Sequence, residues 1–116
     1  MSYIIDNIIK SQCVEDYLDF FENKDLMSIE NLLADNCSLS DWEIGTVNGK
    51  DDVMKVFSNI FDTVKNISVS IQHIHEDPDV IICEMILTVD EQELLVADIF
   101  EFDKFGRIKC IRAYKG

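Results

Sequence analysis

The chain has 116 residues, with 23 acidic against 10 basic side chains and a formal net charge of −13. Its 47% of hydrophobic residues, with no apolar run long enough to span a bilayer, describe one globular domain whose core needs no metal or disulfide staple. So acidic a surface excludes nucleic acid and anionic membrane as partners and favours a neutral or cationic ligand.

The opening MSYIIDNIIK is broken by Asp6 and Lys10, so it does not read as a signal peptide, and a cytoplasmic protein is expected. Residues 3–22 read as one helix, with Ile5, Ile9, Cys13, Val14, Tyr17, Leu18 and Phe21 recurring at three- and four-residue steps. Asn23-Lys24 ends it. Asp25 is a fitting N-cap for a second helix, DLMSIENLLADN, with Leu26, Ile29, Leu32 and Leu33 on its inner side. The string CSLSD then reads as a short strand, and Trp42 to Gly49 as a loop with turn residues Gly45 and Asn48-Gly49. A third helix begins near Lys50 with acids in its first turn, and Val53, Val56, Phe57, Ile60, Phe61 and Val64 form its stripe.

After Asn66 the period changes to two. Ile67, Val69 and Ile71 alternate with polar residues, Asp77-Pro78-Asp79 turns, and VIICEMILTV follows with Ile81, Cys83, Met85, Leu87 and Val89 on one face. Asp90-Glu91 turns into LLVADIFEFD, Lys104-Phe105-Gly106 turns again, and RIKCIRAY closes the chain. Helices followed by hairpin-linked strands predict an α+β fold with helices on one sheet face. Cys13, Cys37, Cys83 and Cys110 form no CxxC pair, so reduced thiols are expected.

One residue breaks the apolar pattern. Asp98 shares a strand face with Leu94, Val96, Phe100 and Phe102. A carboxylate in that setting is paired, protonated, or placed where a ligand arrives, because burying a bare charge is too costly.

The strings YLDFFENKDLMSIENLLADNCSLSD, NGKDDVMKVFSNIF and VADIFEFDKFGRIKCIRAY resemble the NTF2-like superfamily, in particular its SnoaL-like and ketosteroid-isomerase-like branch. The resemblance covers almost the whole chain after about residue 12. It implies a single domain over residues 1–116: an NTF2-like, cystatin-like α+β cone in which three N-terminal helices pack on a curved, mostly antiparallel sheet around an apolar pocket. By the same resemblance Asp41 falls on the family's proton-shuttling base, while Tyr17 and a protonated Asp98 fall on its oxyanion hole. The pocket wall would be drawn from Trp42, Phe57, Phe61, Ile81, Cys83, Met85, Val96, Phe100, Ile111 and Ala113. Trp42 stands where relatives often carry proline, and Phe57 where some carry tyrosine. Lys115 has the inward parity of Ile111 and Ala113.

The expected function is that of a small apolar-ligand protein with ketosteroid-isomerase-like proton transfer on an unsaturated ketone, without metal or organic cofactor. The alternative is a non-catalytic NTF2-like ligand-binding or dimerisation domain. Each residue has its structural counterpart: Tyr17 packing on a helix, Asp41 ending a strand, Asp98 paired with Arg112, Lys115 or Tyr17. His73 and His75 share one strand face as a metal pair would, but Glu76 points away, so no metal site is expected. Ile82, Ile86, Ile108, Cys110 and Tyr114 would be left exposed on the outer sheet face, which predicts a homodimer through it.

Overall fold

A computed structural model describes the backbone of residues 2–116 and the side chains from residue 6 onward. Helices α1 (Ser2–Glu22) and α2 (Leu26–Leu32) lead into strands β1 (Leu33–Asp41) and β2 (Gly45–Asn48). Helix α3 (Lys50–Thr63) follows, then β3 (Ile67–Glu76), β4 (Val80–Val89), β5 (Gln92–Phe102) and β6 (Ile108–Lys115). The strands form one sheet in the order β2-β1-β6-β5-β4-β3. Among the described residues only the β1–β6 pair is parallel. The chain therefore folds as three helices on a curved, unclosed, mostly antiparallel sheet.

The helices lie over the inward-facing side chains of that sheet. Along α3, Val53, Phe57 and Phe61 are buried, with Val56, Ile60 and Val64 packed beside them. Gly49 occupies the N-cap with φ 89°, a left-handed conformation that a β-carbon disfavours, and it offers no side-chain cap. Asp51 and Asp52 in the first turn complement the helix dipole instead. At the other end, Lys24 donates its ammonium to the carbonyl of Phe61 at 3.2 Å and also to that of Val64. Carbonyls orphaned at the end of α3 are thus satisfied from the α1–α2 turn, which fixes the two helices that will wall the site.

Asp25 caps α2 as the sequence predicts. Its carboxylate accepts from the Ser28 amide at 3.2 Å and the Ser28 hydroxyl at 2.7 Å. Replacing it with alanine is expected to lower unfolding free energy by about 1 kcal/mol, measured by denaturant titration. An unchanged midpoint would mean that tertiary packing alone holds this short helix.

Besides β2, a strand at Gly45–Asn48 inside the segment expected as a loop, three details depart from the sequence reading. Helix α2 stops at Leu32, and residues 33–36 open β1 rather than extend the helix. Leu33 pairs with Ile108 across the parallel ladder, a contact 75 residues away in sequence that local propensity does not register. On α1, Ile9 is exposed and Asn7 is buried. Two residues turn a helix through about 200°, so the face continuing Val14 and Leu18 passes through Asn7 and leaves Ile9 opposite. Ile5 lies outside the described side chains.

The third departure is on β6. Glu101 pairs with Cys110 but Phe102 with Ile108, so Lys109 is an extra residue in the ladder. That bulge turns Ile108 onto the inner face, where it is fully buried, rather than the outer face predicted for it.

Candidate active site

The site is built on three neighbouring strands. In register across β4, β5 and β6 run Cys83, Asp98 and Ala113. The flanking rows are Met85, Val96 and Lys115 on one side, and Ile81, Phe100 and Ile111 on the other. Asp98 is thus embedded among apolar neighbours and is only 7% exposed. Burial, reinforced by the charge of Asp41, pushes its carboxyl up to about 7. Near neutrality the group therefore exists substantially as the protonated acid, a hydrogen-bond donor.

Tyr17 reaches the same place from α1. Its ring packs against Phe100 at 5.4 Å, Phe57 at 6.0 Å and Phe21 at 6.1 Å between centroids. Burial and then the nearby Asp98 hold its phenol well above the ordinary value, so it too stays a donor. Among the described residues neither the Tyr17 hydroxyl nor the Asp98 carboxyl is bonded to a protein side chain. Arg112, a candidate partner for Asp98 by sequence, pairs with Glu101 on the outer face instead.

A cavity of about 240 Å³ opens between α1, α3 and the sheet. Tyr17, Asp41, Trp42, Phe57, Val96, Ile111 and Ala113 line it. Asp98 itself is not among the lining residues; its neighbours Val96 along the strand and Ala113 across the sheet are, so the acid lies just behind the cavity's inner wall. Phe61, Ile81, Cys83, Met85 and Phe100 do not line the cavity; they belong to the surrounding core. Burial and the adjacent Asp98 raise the Cys83 thiol to about 12, which makes it an inert packing group.

Asp41 ends β1 at the mouth. Its Oδ1 accepts from the backbone amides of Glu43 at 2.8 Å and Ile44 at 2.7 Å, closing the turn into β2. Oδ2 has no such bond. Trp42 follows and is partly exposed, with the Lys115 ammonium 5.9 Å from its ring centroid. The wall also includes Phe21, Leu39, Ile60, Val64, Leu87 and Leu94. Their helical or alternating periodicity marked them as inward-facing, but nothing local separated cavity wall from solid core. Glu43 and Gln92 carried no such signal and stand at the rim.

The histidine pair lies elsewhere. His73 and His75 are exposed on the outer sheet face, and His75 is bonded to Glu84, whose carboxylate it holds below the usual range. Among the described residues no set of three metal-ligating side chains converges, and no helix is long and apolar enough to cross a membrane.

Comparison with known proteins agrees with this architecture. Residues 14–111 match the model of the SnoaL-like domain. The chain belongs to the SnoaL-like domain family. A SnoaL-like protein of unknown function from Burkholderia thailandensis superposes with a TM-score of 0.84 and 16% identity, over 94% of this chain and 95% of that one. An epoxide hydrolase of LEH-like type from Mycobacterium tuberculosis gives 0.81 and 21%, over 95% and 84%. A protein assigned as a ketosteroid isomerase from Kribbella flavida gives 0.83 and 12%, over 96% and 80%. No curated protein matches the chain in sequence. Such identities establish the NTF2-like fold alone, so the chemistry of this SnoaL-like domain rests on its own residues.

Proposed function

We propose that the cavity is a proton-transfer site for a small unsaturated ketone. The observation that supports this most is Asp98: a buried carboxyl, inclined to hold its proton, without a protein hydrogen-bond partner and close to a second unpartnered donor, Tyr17. Two neighbouring donors suit an oxygen on which negative charge develops. Asp41 lies at the opposite, wetter end with Oδ2 available.

In this reading Asp41 takes the proton from the carbon between the carbonyl and a β,γ double bond. The electron pair moves onto the carbonyl oxygen, where the Tyr17 hydroxyl and the Asp98 acid stabilise the dienolate. Asp41 then returns the proton to the γ carbon, the double bond moves into conjugation, and the carboxylate is regenerated. A cavity of about 240 Å³ falls below the common range for drug-sized ligands of about 300–1,000 Å³, which favours a substrate smaller than a steroid. No cofactor enters the scheme.

The test is ultraviolet detection of a conjugated enone formed from small cyclic β,γ-unsaturated ketones. Tyr17→Phe keeps the packing and removes one donor, and is expected to lower kcat about 100-fold. A second reading, ligand binding without catalysis, is favoured by the Asp41 Oδ1, which is already engaged in closing a turn. Ketone binding with no turnover above the blank would select that second reading. For the assembly, we propose a homodimer through the outer sheet face, where Leu95 and Tyr114 are exposed. Sedimentation giving a monomer would remove it.

A further inference from the structure

The charges around the cavity mouth point to the kind of molecule that enters. Among the residues lining the cavity the ionisable side chains are Tyr17, Asp41 and Glu43, and no lysine, arginine or histidine lines it. Asp98 adds a third carboxyl just behind the inner wall, beside the lining residues Val96 and Ala113, 93% buried and without a protein partner. Apart from Gln92 at the rim, the rest of the wall is apolar, with the aromatic rings of Phe21, Trp42 and Phe57. Carboxylates at the entrance of an aromatic-walled cavity repel an anion, and they favour an ammonium over a neutral group of equal shape.

A separate observation points the same way. The ring of Trp42 already holds a cation: the Lys115 ammonium lies 5.9 Å from its centroid. Lys115 is in register with Val96, which lines the cavity, so this contact is made at the rim. The chain's own lysine marks the place where a ligand's positive end would sit.

We propose that the ligand is a small organic cation: a ketone whose far end carries a protonated or quaternary amine. Its carbonyl oxygen lies at Tyr17 and Asp98, its apolar body along Phe57, and its ammonium between Trp42 and Glu43. This rests on the reading of the cavity as a ketone site and adds the charge of the substrate to it.

The experiment is a titration followed by the fluorescence of Trp42, the single tryptophan of the chain. Three methyl ketones serve as probes, joined through the same trimethylene spacer to trimethylammonium, tert-butyl or carboxylate. The trimethylammonium ketone is expected to bind about tenfold more tightly than its tert-butyl isostere at low ionic strength, and the carboxylate not at all. Glu43→Gln should shrink that preference, and Lys115→Met should enlarge it by removing the competing cation. Equal or tighter binding of the tert-butyl ketone, or a preference indifferent to both substitutions, overturns the cationic ligand while leaving a ketone site standing. Failure of all three probes to bind overturns the ketone site itself.

Discussion

Replacing Asp41 with asparagine is expected to lower kcat for enone formation by about 10²–10⁴-fold, the usual worth of a positioned general base. The substitution is chosen for what it retains. An asparagine Oδ1 can still accept from the amides of Glu43 and Ile44, so the turn that closes β1 into β2 stays intact. Only the proton-accepting carboxylate is lost. Two neutral backbone hydrogen bonds are worth about 1 kcal/mol each, so a stability change well below that separates lost chemistry from lost structure. Asp41→Ala removes both together and is the control: it should unfold more readily than Asp41→Asn while being no less inactive. Full activity in Asp41→Asn would reduce Asp41 to a turn residue and leave the cavity without a base.

The fold was legible because its signals are long-range in period though local in sequence. The stripe through Val53, Phe57 and Phe61 and the alternation through Ile81, Cys83 and Met85 each constrain a whole element. What escaped depends on pairing between distant segments. The run after Leu32 is compatible with helix until Ile108 offers Leu33 a strand partner. The extra residue at Lys109 has no signature of its own, yet it decides that Ile108 faces the core. Asn7 was hidden by the isoleucines around it, since apolar character alone favours Ile9 as the inward residue.

The site was legible in a different sense. A lone acid among apolar i±2 neighbours is visible in any listing of the strand, so Asp98 stood out at once. Its inner neighbours did not divide in the same way. Phe57 and Phe100 are both buried aromatic residues touching Tyr17, but only Phe57 faces empty space. That distinction depends on how α3, bonded at its last turn to Lys24, packs over the sheet. Side-chain type carries no record of it.

Asp98→Asn is expected to change the pH dependence of stability more than stability at any one pH. The native carboxyl holds its proton up to about 7, while the unfolded chain releases it near the ordinary 3.8. Between those values the folded protein binds more protons than the unfolded one, so this group lowers stability as pH rises. Its penalty is absent below about pH 4 and complete above about pH 7, where some three units at about 1.4 kcal/mol each come to about 4 kcal/mol. An asparagine cannot ionise and escapes it. In urea unfolding, the variant should therefore gain about 3 kcal/mol relative to the native chain between about pH 5 and about pH 8. Carboxylates remote from Asp98 are common to both proteins and drop out of the difference. Parallel stability profiles would show that Asp98 is already ionised in the folded state, which would remove one of the two donors on which the proposed chemistry depends. With the profiles diverging as expected, the same proton should reappear in the kinetics, with native turnover falling as the pH passes through about 7. That loss comes from the oxyanion side of the cavity, so it should appear in kcat more than in KM for the neutral ketone.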